Sequence, residues 1–389
     1  MLFLLSLSVI SFVSCTFCYV WMKTNKKNLP SVQLLPQDVV KDLNFPKISL
    51  VVPAYNEEHN VKECLNSILE STDLDFKLIL VDDKSSDNTL KLAKEIKDTR
   101  LEILEGKDRP VDKTWNGKNW ACWQGAEHAK GDYIIFLDCD VHVKKQGIES
   151  LMVHFFRQDL DLLSAMPGHK FSTFLEGTPQ SIVLSGLLLG KDFKKINSSE
   201  CKEFLAVGQC MIFKKDSYFE IGGHFAVAGE VLEDVALAGL VKKNNMKLQL
   251  SLATDLLDIC MYRNIKELWE GYSKNTFLAA NSNILQVFGW CVGMVLIYIL
   301  PWFSPVLWLF LFATQVLDYA IFVPTVVFTF GLILSFFTRT EVNQLYKMPL
   351  KYWLFSWLGA IIMIGVFVNS FWVITTGKNW TWKGRKVEA

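Results

Sequence analysis

Residues Tyr133-Ile134-Ile135-Phe136-Leu137-Asp138-Cys139-Asp140 decide how the rest of the chain is read. Five apolar residues followed by two carboxylates one residue apart describe a short buried strand with an acidic tip. Hard divalent cations take such oxygen ligands and complete their shell with water and phosphate oxygens. By itself an Asp-x-Asp also serves as a turn or a helix cap. Two earlier segments repeat the pattern. Ile48-Ser49-Leu50-Val51-Val52-Pro53-Ala54-Tyr55-Asn56-Glu57-Glu58 reads as a strand, a polar turn and then a helix from Asn60 to Leu69. Leu78-Ile79-Leu80-Val81-Asp82-Asp83, followed by Lys84-Ser85-Ser86-Asp87-Asn88-Thr89, reads as a strand, an acidic tip, a loop and a helix. Strands alternating with helices predict an α/β fold around a mostly parallel, Rossmann-like sheet. Ligands bind beyond the carboxyl ends of such strands, so all three tips are expected on one sheet edge.

Composition narrows the possibilities. Hydrophobic residues make up 51% of 389 residues, more than a soluble domain needs. Lys+Arg and Asp+Glu balance at 40 each, so there is no electrostatic case for a nucleic-acid partner. The nine cysteines form no double Cys-x-x-Cys set, and the six histidines show no zinc spacing with them. Cys15 and Cys18 lie in an apolar run and read as small hydrophobes. Reduced thiols suit a cytoplasmic domain.

The motifs Val-Val-Pro-Ala-Tyr-Asn-Glu-Glu at 51–58, Val-Asp-Asp-x-Ser-x-Asp-x-Thr at 81–89 and Asp-x-Asp at 138–140, in this order, resemble family 2 glycosyltransferases of the GT-A nucleotide-sugar-binding fold. The resemblance covers roughly residues 46 to 280. Shorter pieces, Gly117-Lys118-Asn119-Trp120-Ala121-Cys122-Trp123-Gln124-Gly125, Gly222-Gly223-His224 and Trp382-Lys383-Gly384-Arg385, are similar to the enzymes that glycosylate isoprenoid lipids, the diaponeurosporenoate glucosyltransferases and hopene-associated glycosyltransferases.

The resemblance implies an inverting single displacement that moves a hexose from a UDP-sugar, UDP-glucose first, to a hydroxyl or carboxyl of a membrane lipid such as a carotenoid. It makes Asp140 the ligand of Mg²⁺ or Mn²⁺ and sets Asp138 nearer the ribose. Asp83 then contacts the uracil edge, and Pro53, Ala54, Tyr55 and Glu57 form the nucleotide-binding turn. Lys118, behind a glycine at a helix start, suits an anion, with a solvated lysine as the plainer reading. In Glu233-Asp234, Asp234 is expected as the base, and Glu233 positions it or raises its pKa by like-charge proximity. Helix-start acids are the structural alternative. His224 either faces the same cleft or is a satisfied core histidine.

A processive polysaccharide synthase of the same fold would carry Gln-x-x-Arg-Trp, which is nowhere in the chain; Trp269 to Asn275 stands in its place. Single transfer is therefore expected. A non-catalytic scaffold that kept the fold is the other alternative, and the intact Asp138, Asp140 and Asp234 speak against it.

The remaining segments are membrane-like. Residues 1–22 read as an uncleaved anchor, because Lys23, Lys26 and Lys27 follow the apolar run instead of preceding it. The positive-inside rule then puts the catalytic domain in the cytoplasm, at a bacterial cell membrane. Residues 23–46, with Pro30, Pro36 and Pro46, read as a linker, and 47–262 as the catalytic domain. Ile182 to Gly190 is apolar but too short to span. In 263–283, Ile265, Leu268, Trp269 and Tyr272 share a face that suits the membrane interface or a packed core. Residues 284–376 form a transmembrane region and 377–389 a basic tail. Arg339, Lys347 and Lys351 compete with Lys378, Lys383, Arg385 and Lys386 for the inner side. Weighting the tail requires three crossings within 284–337 and five in all.

Overall fold

The computed structural model describes residues 2–376, 380–382 and 385–387, apart from 42, 281, 316 and 317. The side chains of the basic tail, 377–389, lie outside the described residues. Contacts divide the chain into two compact units, one built mainly from 28–170 and 192–261, the other from 1–27, 171–191 and 262–382.

The first unit is a mixed, mostly parallel α/β sheet. Its strands are β1 (Ile48–Ala54), β2 (Phe76–Asp82), β3 (Leu101–Glu105), β4 (Tyr133–Leu137), β6 (Leu162–Met166), β8 (Cys210–Lys214) and β9 (Leu248–Leu252). Between them, β5 (Val141–Val143), β7 (Gly168–His169) and β10 (Leu257–Ile259) make a small second sheet. The large sheet runs in the order β3-β2-β1-β4-β8-β6-β9. Only β8 is reversed, pairing antiparallel with both β4 and β6. Apolar runs buried on both faces make these strands: Leu50, Val51, Val52, Leu78, Ile79, Leu80, Ile134 and Ile135 are all fully buried. Ala54 registers with Asp82, and the β1–β4 ladder ends at Val51–Phe136. Pro53 lies two residues past that ladder's end, where a missing donor costs least.

The expected linker belongs to this unit. Val32 N–H donates to Leu252 O at 2.8 Å, and Leu252 N–H to Pro30 O at 2.8 Å, so the segment adds a short bridge beside β9. Residues 171–191, expected inside the catalytic domain, instead pack with the apolar helices of the second unit. The reason is local. The helix Phe174–Gly190 approaches the helix Ser356–Thr375 so closely at Gly359 that a Cβ there would stand 2.7 Å from Thr178 O.

In the second unit, among the described residues, four helices are long and apolar enough to cross a membrane: 2–28, 284–314, 319–346 and 356–375. Two of them, not the expected three crossings, occupy the stretch that contains 284–337. Pro301 does not break the first into two spans; a widened turn at Val295–Ile299 and a tightened one at Leu300–Trp302 absorb it. The helix Ile265–Ala279, capped by Asn264 accepting from Glu267 N–H at 3.0 Å, buries Leu268, Gly271, Ser273 and Phe277. Asn369 bonds Ser273 at 3.0 Å, so this face packs on the helix 356–375 while Trp269 stays partly exposed.

Candidate active site

Four segments of the first unit converge beyond the carboxyl end of β4. Asp138 follows β4, and its N–H donates to Gln209 O at 3.1 Å, tying the acidic tip to the turn before β8. The Lys118 ammonium, in the first turn of the helix Gly117–His128, stands 2.7 Å from Asp138 Oδ1 and 2.8 Å from Glu233 Oε1. Glu233 and Asp234 open the helix Glu233–Lys243. Gly208 lies beside them; a Cβ there would stand 3.0 Å from Lys118 Nζ, 3.3 Å from Glu233 Oε1 and 3.4 Å from Asp234 Oδ2.

Asn119 holds this arrangement. Fully buried, its Nδ2 donates to Val227 O, Ala228 O and Glu230 O at 2.8 to 3.0 Å. One carboxamide therefore pins the start of the lysine-bearing helix to the loop that delivers Glu233. Asn119 lies in the Gly117-Lys118-Asn119-Trp120 stretch, but its partners, more than 100 residues on and five strands later, could not be read from it.

The electrostatics follow from one ammonium among several carboxylates. Burial works against the Lys118 cation, but Asp138 and Glu233 outweigh it and hold its pKa well above the usual value. Burial pushes the Asp138 carboxyl up, against the pull of Lys118, and Glu233 and Glu57 add to the push. Lys118 wins over burial at Glu233 and holds it below its ordinary value. At Asp234 burial first, then Glu233, outweigh the weaker pull of Lys118 and lift it to about 7. Its Oδ1 accepts its neighbour's N–H, from Val235 at 2.8 Å. A pair of adjacent carboxyls thus has its pKa values driven apart, the pattern that separates an anchored anion from a working base.

The tips of β1 and β2 form the second half of the site. Their loops are laced together. Asn56 N–H donates to Ser85 Oγ at 3.0 Å, Glu57 N–H to Thr89 Oγ1 at 2.7 Å and Glu58 N–H to Asp87 Oδ2 at 3.1 Å. In return, Ser86 N–H donates to Asn56 Oδ1 at 2.9 Å and Asn88 N–H to Glu58 Oε2 at 3.1 Å. Ser85, Asp87 and Thr89 therefore serve the loop architecture. Ala54 is buried and offers its carbonyl, which accepts from Asp83 N–H at 2.8 Å. Asp83 is buried and pairs with Arg109 at 3.1 Å, a partner with no sequence signal. Pro53, Tyr55 and Glu57 are half-buried on the same edge.

His224 takes the structural option. It is buried, its Nδ1 lies 2.9 Å from Tyr218 Oη, and its backbone N–H donates to the same hydroxyl at 3.0 Å. Burial pushes its pKa down to about 3, so it is neutral at any working pH. The glycines before it serve that packing: Gly222 and Gly223 have φ +81 and +48, and a Cβ on Gly223 would stand 2.4 Å from the Tyr218 ring.

The residues fit a divalent cation. Asp138 and Asp140 are hard oxygen donors at a strand tip, and the carboxylates around Lys118 outnumber the one ammonium. Among the described residues no cage of three or more His, Cys, Asp or Glu side chains exists. A cation bound here would be one that takes one or two carboxylates and fills its shell with phosphate oxygens and water, as Mg²⁺ does.

An α/β sheet with a single reversed strand and acidic tips on one edge is the GT-A class of nucleotide-sugar fold. Residues 49–222 match the family described as Glycosyl transferase family 2. It is 27% identical over 240 residues to the 4,4'-diaponeurosporenoate glycosyltransferase of Staphylococcus aureus (strain bovine RF122 / ET3-1), and equally to that of strain USA300. That match spans 60% of this chain and 62% of the relatives' own length. Among solved structures, it is similar to a mannosyltransferase from Pyrobaculum calidifontis, with a TM-score of 0.49 and 16% identity over 85% of this chain and 96% of that one. It is also similar to the glucosyl-3-phosphoglycerate synthase of Mycobacterium tuberculosis, with a TM-score of 0.39 and 17% identity over 62% of this chain and 81% of that one.

Proposed function

We propose that the protein is a membrane-anchored inverting glycosyltransferase that moves one hexose from a UDP-sugar to a lipid acceptor, a carotenoid or related isoprenoid. The observation that carries the reading is the line Asp138–Lys118–Glu233 beside Asp234, in which Glu233 is held low by Lys118 while its neighbour, the base candidate, is lifted to about 7. The lipid acceptor is supported by the relatives' name, 4,4'-diaponeurosporenoate glycosyltransferase, and by the four apolar helices among the described residues of the same chain.

In this mechanism the β1 and β2 loops hold the nucleoside, with Asp83 and Arg109 at its base edge and Tyr55 and Glu57 along the turn. Asp138 and Asp140 would hold Mg²⁺ or Mn²⁺, which neutralises the diphosphate leaving group when bound. Lys118 is placed to give up Asp138 and meet the diphosphate at the helix start. Asp234 then takes the acceptor proton as the acceptor oxygen attacks the anomeric carbon from the far face. A pKa near 7 suits that task, because the base form is present at neutral pH and still binds a proton well. Glu233, kept anionic by Lys118, fixes the lysine and raises its neighbour.

Calorimetric titration of Mn²⁺ with UDP tests the site without turnover. Wild-type protein should bind UDP only weakly in EDTA, and Asp140→Ala should lose the metal-dependent part. UDP affinity and sugar transfer both unchanged in EDTA would overturn the metal assignment.

A further inference from the structure

A buried cation in the second unit is not explained by glycosyl transfer. Arg339 lies on the helix Tyr319–Tyr346 and is 2% exposed. Among the described residues no carboxylate pairs with it. Its Nη1 donates to Ser181 O and Ser185 Oγ, and its Nη2 to Ser181 Oγ. The two serines have already spent their protons: Ser181 Oγ donates to Thr178 O at 2.6 Å and Ser185 Oγ to Ser181 O at 2.7 Å. They meet the guanidinium purely as acceptors and orient it, but they do not neutralise it.

A guanidinium has five N–H donors, and these contacts use three. Nε is buried with no hydrogen-bond partner. The unused donors, on Nε and Nη2, share one edge of the fork, the edge a carboxylate or phosphate accepts with two parallel bonds. A second, independent feature lies one turn on. Asn343 is 6% exposed, and both its Oδ1 and its Nδ2 lack a partner. Residues four apart share a helix face. Between them in sequence, Glu341 pairs with Lys23, at 3.1 Å, and with Lys26. In a membrane this charged cluster favours the headgroup layer, and it lies two residues from Arg339 in sequence. Ionisable groups inside membrane segments are rare and mark functional sites.

We infer that Arg339 and Asn343 form a binding site for the oxyanion head of a membrane lipid, a phosphate or a carboxylate held by the free guanidinium edge with the carboxamide alongside. The inference rests on the second unit being lipid-embedded, not on the chemistry of the first.

Full-length protein in a neutral maltoside detergent is titrated in two arms, with binding read by native mass spectrometry. The phosphate arm compares phosphatidylglycerol with diacylglycerol, and the carboxylate arm compares retinoic acid with retinol. At least one oxyanion lipid should bind roughly ten- to hundredfold tighter than its uncharged counterpart, the scale of charge-assisted hydrogen bonds. The arm that shows it names the head. Arg339→Gln should abolish that preference, and Arg339→Lys, which keeps the charge but lacks the fork, should lose most of it. Asn343→Leu should reduce it several-fold, and reads the site independently if the arginine variants fail to fold. No preference in the wild type, or a preference unchanged in the folded variants, overturns the site. Displacement by millimolar inorganic phosphate alone, equal to that by the lipid, overturns the lipid part. Neither result bears on UDP binding, so this inference and the transferase reading fail separately.

Discussion

Asp234 is the residue on which the proposed chemistry turns, and its raised pKa makes two separable predictions. General-base help is typically worth about 10²–10⁴-fold, so Asp234→Asn should slow transfer to a hydroxyl acceptor by that order while UDP binding stays near normal. A carboxylic acid acceptor is already ionised at neutral pH and needs no base, so the same variant should transfer to it at a rate within several-fold of wild type. Comparing an alcohol and an acid of one polyene, with product read by mass spectrometry, tells which acceptor the site is built for. Equal wild-type rates for the variant with both would remove Asp234 from the mechanism. With the hydroxyl acceptor, wild-type activity should climb with pH through about 7 and then level off. Stability runs the other way. The carboxyl is near 7 when folded and about 4 when unfolded, so between those values the folded state binds more protons and stability falls as pH rises. Asp234→Asn should therefore melt above wild type at pH 8, and the difference should close near pH 4. A melting temperature lower than wild type at pH 8 would mean that the ionised carboxylate is compensated in a way these contacts do not reveal.

At the scale of elements, the laced β1 and β2 loops act as one body. Thr89 is fully buried and its hydroxyl oxygen is the acceptor for Glu57 N–H. Thr89→Val keeps the shape and strands that donor, at a cost of about 1–3 kcal/mol. The loop that carries Tyr55 and Glu57 should loosen, raising the KM for donor several-fold with little change in kcat; an unchanged KM would show that the loop is held without the clamp. This element also shows what the sequence revealed and what it did not. The three strand-tip motifs were legible because each is local: an apolar run of fixed length ending in acids and turn residues. Their meeting on one edge followed from the rules for parallel sheets. Asn119, Gly208 and Arg109 were not legible as site residues, because each acts on a segment tens of residues away and none has an unusual neighbourhood of its own. His224 was misleading for the opposite reason: Gly-Gly-His reads as a ligand approach, whereas the glycines serve the Tyr218 ring. The helix Phe174–Gly190 was hidden among strands, since its length does not say which unit it joins.

At the scale of the whole molecule, if the four apolar helices among the described residues are the crossings, in place of five, the fate of the tail is reversed. If residue 23 faces the cytoplasm, the helix 284–314 exits, 319–346 returns and 356–375 exits again. Lys347 and Lys351 then sit inside, and residue 389 outside. Green fluorescent protein fused after Ala389 should stay dark in the oxidising exterior, and an impermeant maleimide should not add to Val111→Cys, which is fully exposed on the first unit. Cys64 and Cys210 are too buried to report sidedness. A bright fusion would restore the odd count. The interleaving of the two units also sets a schedule for biogenesis. The helix Leu2–Asn25 turns Ser8, Ser11 and Asn25 inward, Ser11 bonding Leu296 O at 2.7 Å and Asn25 bonding Leu188 O at 3.0 Å. Its neighbour Tyr319–Tyr346 emerges from the ribosome roughly 300 residues later, which at 5–20 residues per second is on the order of 15–60 s. Throughout that interval a polar stripe meant for protein must face lipid or a chaperone. A membrane insertase that shelters half-made helix bundles should therefore limit the yield of this protein more than it limits single-span proteins of equal length.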